Sequence, residues 1–310
     1  VIIKILSSLF AIFAGASIGR EGPSLQISAS IGYNFGVLFE KLGIKIKSEQ
    51  LIIAGAASGL AAAFNTPVGG IVYAVEELTQ DHIRSYKTAL LMSVLIAGFV
   101  AQLLVGNYLY LGYPQFLSKL ALNTVLIVSV VSFFSGLLGS LFSKMLLMLI
   151  SWRKNKSFKN QLLIVFLIGV SISFSYYFFG SSAIFSGKDS INHVLFGKDP
   201  ILLSDSIFRF LSPLLSSMTS VAGGIFAPSL SAGATFGGIV AQYFDPSLRT
   251  LLALAGMIGF LTGVTHTPIT SFVLVLEMTD RHSAIFPMML AAVCSSLGSR
   301  ILGSKSFYEA

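Results

Sequence analysis

Two short stretches of this 310-residue sequence carry residues whose types and spacing can bind an ion. One reads Gly19-Arg20-Glu21-Gly22-Pro23-Ser24-Leu25, the other Gly224-Ile225-Phe226-Ala227-Pro228-Ser229-Leu230. Proline is tolerated at a helix start because its missing N–H has no partner there anyway, so each stretch predicts the beginning of a helix. A helix N-terminus presents unpaired N–H groups and about half a positive charge. Aimed at one point inside protein, such ends hold an anion without a lysine or arginine. Glycine lets the backbone come close to the ion. The apolar side chains of Ile225 and Phe226 leave only their backbone amides to contribute. Gly19, Arg20, Gly22, Pro23, Gly224 and Pro228 then support the site.

The acids near these stretches separate by comparison. Glu21 stands where the second stretch has Phe226, so the repeated architecture does not itself demand a carboxylate. An ionisable group in an apolar region is costly and is a functional candidate by default. At a helix N-terminus its carboxylate can fill the anion site and leave it on protonation, acting as gate and proton carrier together. A cap, or a partner for Arg20, is the simpler alternative. Further on, Glu76 is matched by Glu277, which fits a structural role at a helix end, whereas Glu77 is matched by Met278. A second unrepeated acid suggests a proton station at the other end of a pathway, against the simpler account of a solvated helix end near Asp81.

These matches belong to an internal repeat. Pro23 and Pro228 align at a shift of 228 − 23 = 205, with Gly32 and Gly237 each nine residues later. Ala54-Gly55, Thr66-Pro67 and Glu76 align with Ala255-Gly256, Thr267-Pro268 and Glu277 at a shift of 201. Paired Gly/Pro-interrupted segments in corresponding positions point to a transport site near the membrane midplane. Residues 1–105 are expected to form a first repeat lacking its opening helices and 106–310 a second, within one membrane domain. The second half has far more hydrophobic chain ahead of its broken helix than the first, so about one hundred residues are expected before Val1.

The elements that must position these residues are helices in a bilayer. Hydrophobic residues make up 54% of the chain and charged residues 11%, against about 25% charged in an ordinary soluble domain. Helices are expected near 2–18, 24–39, 51–63, 68–78, 87–105, 121–151, 161–180, 206–219, 229–243, 249–263, 269–279 and 285–302. Several are too short for a perpendicular crossing of roughly 30 Å of hydrocarbon. Backbone breaks at membrane depth survive only where they line a cavity or lie buried in protein. The net charge of +7 resides in short loops such as Trp152-Arg153-Lys154-Asn155-Lys156, as cytoplasmic loops do, and is no sign of nucleic-acid binding. The single cysteine, Cys294, excludes a disulfide framework within the chain.

Gly19 to Pro23, Gly224 to Pro228 and Val75-Glu76-Glu77 strongly resemble the CLC chloride channels and chloride/proton exchangers, prokaryotic type. Leu276-Glu277-Met278-Thr279-Asp280 and Lys305-Ser306-Phe307-Tyr308 add to the likeness. It is specific at 15–36, 54–81, 221–240 and 253–287 and faint from about 106 to 205. The resemblance implies an all-α integral membrane fold, an inverted-repeat bundle of tilted and broken helices. It implies Glu21 as the external gate, Ile225 and Phe226 amides with the Tyr308 hydroxyl as anion ligands, and Glu77 as the internal proton acceptor. Channel members commonly lack that last acid, so an exchanger is expected, with a passive channel on the same fold as the alternative. Tyr73 stands where the family often has phenylalanine along the proton route. The serine-bearing Gly-Ser-Gly-Ile-Pro segment of the family, from which anion preference is largely read, is absent from this sequence.

With the resemblance come chloride or a similar small monovalent anion and protons as substrates, and no cofactor or metal. The lipid bilayer and a second copy in a homodimer are the expected partners, in the bacterial inner membrane. An intramembrane hydrolase is the remote alternative. Ser58 in Gly55-Ala56-Ala57-Ser58-Gly59 lacks the Gly-x-Ser-Gly spacing of a membrane serine protease, and His266 only mirrors Asn65 in the repeat. Gly55-x-x-x-Gly59 reads better as close helix packing, so no enzyme is expected.

Overall fold

The computed structural model describes residues 1–43, 47–78, 87–106, 108–115, 121–280, 282–303, 306 and 307. Among these the protein is a bundle of helices. In chain order they are α1 (Ile2–Phe13), α2 (Glu21–Lys41), α3 (Ser48–Phe64), α4 (Pro67–Tyr73), α5 (Lys87–Val105), α6 (Leu122–Lys154) and α7 (Phe158–Phe179). Then follow α8 (Lys188–Phe196), α9 (Leu203–Met218), α10 (Phe226–Phe244), α11 (Arg249–Thr265), α12 (Pro268–Thr279) and α13 (Ile285–Arg300). A π-helical turn, Ala74–Leu78, runs on from α4 and carries both Glu76 and Glu77.

Five helical segments are long and apolar enough to cross a membrane: Lys87–Val105, Leu122–Lys154, Phe158–Ala183, Pro246–Thr265 and His282–Arg300. The chain is a multi-pass integral membrane protein. Within it α11 is the axis: every residue from Thr250 to Thr265 is buried, and a helix apolar on all sides belongs inside protein or lipid. Helices α6, α10 and α13 pack around it, while α7 leaves Phe166, Phe174 and Tyr177 exposed, as a lipid-facing helix does.

The repeated positions recur in the packing. In α2, a Cβ at Gly32 would run into the Leu51 carbonyl of α3, and in α10 a Cβ at Gly237 would run into the Leu252 carbonyl of α11. Leu51 and Leu252 are themselves separated by 252 − 51 = 201 residues. Helices α3 and α11 end alike, on Asn65 at φ 58° and His266 at φ 59°, both left-handed. His266 is therefore a helix terminator.

The acids Glu76 and Glu277 cross-bond the two regions. Glu76 accepts from the Ile269 amide at 3.1 Å, the Thr270 amide at 2.6 Å and the Thr270 hydroxyl at 2.7 Å, at the start of α12. Glu277 accepts from the Val68 amide at 3.1 Å and the Gly69 amide at 2.8 Å, at the start of α4. Each carboxylate thus satisfies orphan donors of the other region's helix and complements its dipole.

The structure departs from expectation in three places. Helix α1 stops at Phe13 because the chain turns at Gly15, φ 80°, and continues without helix through Ile18. Helices α2 and α10 begin at Glu21 and Phe226, ahead of their prolines, so Pro23 and Pro228 are third helical residues, where the N–H still lacks an intrahelical partner. Helix α8 was not expected. It is too polar to read as a span, and it is launched by Gly187 at φ 86°.

Candidate anion site

The chain enters α2 and α10 along two short extended approaches that pair with each other. Gly19 donates to the Gly224 carbonyl at 2.7 Å, and Gly224 donates to the Gly19 carbonyl at 2.7 Å. Just upstream, the Ser17 amide donates to Ser216 Oγ at 2.9 Å and the Ser17 hydroxyl to the Phe185 carbonyl at 2.9 Å. The pairing brings the two helix starts to one point. A Cβ on Gly22 would stand 2.9 Å from the Gly223 carbonyl oxygen and from Gly224 Cα, and one on Gly224 would stand 2.6 Å from the Gly22 nitrogen. No larger residue fits at either glycine while these backbones stay in place.

Glu21 lies at this meeting point, 1% exposed. Its carboxylate folds back against Gly19 and Gly224. The backbone amides of Arg20, Glu21 and Ala227 lie near it, yet neither carboxylate oxygen closes a well-aligned hydrogen bond. A buried, unpaired carboxylate costs several kcal/mol (about 1–3 even for a neutral polar group), and native proteins rarely carry one without a functional reason.

Ile225 and Phe226 are buried at the start of α10 and turn their side chains to different clusters. Ile225 packs among Phe142, Leu214, Phe260 and Val264. The Phe226 ring meets Tyr73 edge-on with centroids 5.8 Å apart and lies tilted against Phe64 at 6.3 Å. Tyr73 is itself buried, and it ends α4 just before the π-helical turn that carries Glu77. Glu77 is half-buried in the π-helical turn. Phe226 and Tyr73 thus connect the helix start beside Glu21 to the π-helical turn that carries Glu77.

Tyr308 lies outside the described residues. The two residues before it dock against the end of α11: Ser306 Oγ donates to the Thr265 carbonyl at 2.9 Å and the Phe307 amide to the Val264 carbonyl at 3.2 Å. Phe307 packs on the cluster that holds Ile225. Pro23 and Pro228 are buried in the first turns of their helices, and Arg20 is exposed, reaching the Ala63 carbonyl at 3.5 Å.

Three residues at this site were not anticipated from the sequence. A cavity of about 230 Å³ ends on Glu21 and is lined by Arg20, Tyr110 and Lys188. Lys188 Nζ sits 4.6 Å from the centroid of the Tyr110 ring, and Tyr110 packs edge-on against Phe64 at 5.0 Å. Burial, and then the Arg20 guanidinium, hold the Lys188 ammonium below the usual lysine range. Behind this wall Arg209 is 1% exposed. It donates to Ser190 Oγ at 2.9 Å and to the carbonyls of Ile184 at 3.0 Å and Phe185 at 3.2 Å, with a further bond to Ser181 at 2.5 Å. Arg209 did leave a signal: it is a lone cation in Ile207-Phe208-Arg209-Phe210-Leu211. Tyr110 and Lys188 left none.

The family model described as "Voltage gated chloride channel" matches residues 1–300. Among curated relatives, the "H(+)/Cl(-) exchange transporter ClcA" of Klebsiella pneumoniae subsp. pneumoniae is 30% identical over 321 residues, covering 99% of this chain and 67% of that protein. The protein of the same name from Vibrio cholerae serotype O1 is 28% identical over 329 residues, covering 99% and 68%. A solved structure of "a slow cyanobacterial Cl-/H+ antiporter" superposes with a TM-score of 0.89 at 25% identity, over 99% of this chain and 74% of that one. A "CLC-type fluoride/proton antiporter" shares the fold with a TM-score of 0.78 at 23% identity, over 92% of this chain and 71% of its own.

Proposed function

Because the chain belongs to the voltage gated chloride channel family, we propose that it exchanges chloride, or a similar small monovalent anion, for protons across a bacterial inner membrane. The observation that carries this reading is the Glu21 carboxylate, buried among backbone amides without a well-aligned hydrogen bond where the starts of α2 and α10 meet. A group of the same charge as the substrate occupies the place that helix N-termini make favourable for an anion.

The cycle follows from that competition. Ionised, Glu21 is held by the amide dipoles and closes the path. Protonated, it loses that attraction and yields the position to an anion, bound by the amides at Ile225 and Phe226 with the Tyr308 hydroxyl. Return of the carboxylate expels the anion and sets the proton free. Each swap replaces one negative group by another at fixed positive dipoles, so anion and proton move in opposite directions. Glu77 delivers protons from the other side, past Tyr73 and Phe226. No covalent chemistry is required. The same reading gives a homodimer with one such path in each subunit, surrounded by lipid.

The test is reconstitution of the full-length protein in liposomes. An imposed chloride gradient is expected to drive protons uphill. Chloride flux with no proton movement would identify a passive channel and sink the exchanger reading.

A further inference from the structure

The cavity in front of Glu21 has a charge balance that the amide cradle does not explain. Two cations, Arg20 and Lys188, line it, and Glu21 is the one acid among its described lining residues. Among the described residues neither cation forms an ion pair. Arg20 spends one nitrogen on a distant carbonyl, and Lys188 rests on the face of Tyr110. The neighbouring acid, Asp189, contributes to a separate cavity of about 200 Å³, lined also by Ser181, His193 and Asp205. With Glu21 ionised the lining residues carry +2 − 1 = +1, and with Glu21 protonated they carry +2.

Lys188 is also held in place, unlike an ordinary surface lysine. Gly187 before it takes φ 86° and is buried, and a Cβ there would collide with Ser231 of α10. The segment on either side is braced by Arg209, which binds the carbonyls of Ile184 and Phe185 and the Ser190 hydroxyl. The ring of Tyr110 fixes the ammonium itself, and a cation on an aromatic face keeps its outer hemisphere available.

We propose that Lys188 and Arg20 hold a small monovalent anion at an outer position ahead of the amide cradle, and that Lys188 thereby sets how strongly anions load from this side. The proposal rests on the transport reading above. A cleft lined by one sign of charge with low-dielectric walls concentrates counter-ions. Here the concentration is gated, because the field seen by the anion strengthens when Glu21 takes up its proton and is ready to give way. Loading and gate opening thus favour one another through charge alone.

Chloride is titrated separately on each face of membranes containing the full-length protein, and transport is measured with Lys188→Gln and Lys188→Arg. Lys188→Gln is expected to raise KM for chloride on the cavity face by roughly three- to tenfold. Maximal rate, KM on the opposite face and the proton-to-chloride ratio should hold, and Lys188→Arg should restore the low KM. An unchanged KM in a transporting Lys188→Gln protein overturns the proposal and leaves the exchanger reading intact. Absence of flux in the unaltered protein overturns the exchanger reading instead. Bromide scattering from crystals of the unaltered protein decides independently of any variant's folding: a peak between Arg20 and Lys188 supports the outer position, and its absence at saturating bromide overturns it.

Discussion

At the scale of single residues, Glu21 and Glu77 have the same functional group and opposite surroundings. Glu21 is enclosed and lacks a well-aligned hydrogen bond, so its charge is answered only by helix ends and by Arg20 nearby. Glu21→Gln keeps the shape and removes the charge that, in the proposed cycle, competes with the anion. It is expected to leave anion flux in place, abolish proton coupling and flatten the dependence of flux on pH, which paired chloride and proton electrodes on liposomes would register. Persistent uphill proton movement would remove Glu21 from the scheme. Glu77 is half-buried in the π-helical turn that follows Tyr73. Glu77→Gln is expected to lower proton flux while chloride flux continues, and an unaffected proton flux would exclude it as the proton station.

At the scale of elements, the fold depends on helices that approach closely at glycine. Gly32 faces the Leu51 carbonyl with no room for a side chain, and overpacking such a contact costs typically about 1–3 kcal/mol. Gly32→Val should therefore lower the thermal midpoint in detergent by several degrees. Gly169→Ala in the middle of α7, where a Cβ would meet nothing within 4 Å, should leave it unchanged or raise it slightly, since alanine suits a helix better by about 1 kcal/mol. Equal effects of the two changes would contradict this account of the packing. These helices were legible because Gly, Pro and long apolar runs act locally: the expected spans for α5, α6, α11 and α12 lie within a few residues of those observed. Helix α8 was not legible, since its nine residues include Lys188, Asp189, Asn192 and His193 and show no membrane pattern. It is held by Gly187 and by contacts to distant parts of the chain. The same reason hides Lys188 and Tyr110 from the sequence: they are 188 − 110 = 78 residues apart, and only tertiary packing brings them together. By contrast Glu21, Ile225 and Phe226 sit at helix starts that the neighbouring Gly and Pro already mark in the sequence.

At the scale of the whole molecule, the crossed caps join the part that carries Glu21 to the part that carries Ile225 and Phe226. Glu76 extends from the turn after α4 to the start of α12, and Glu277 extends from α12 to the start of α4. Hydrogen bonds to a charged acceptor are worth about 1.5–3 kcal/mol, and a glutamine keeps only one neutral acceptor oxygen in place of the carboxylate. Glu76→Gln and Glu277→Gln should each lower thermal stability by an amount of that order, Glu76 more strongly because it accepts three bonds and Glu277 two. The two changes act on one contact between α4 and α12, and changes that share a contact do not add. Once either cap is lost the helices can separate, so the second loss should cost less than it does alone. A double-mutant cycle on the full-length protein, read as thermal midpoints in detergent, measures that difference. Strict additivity would mean that each cap stabilises only its own helix end, and that the two regions are not latched together through this pair.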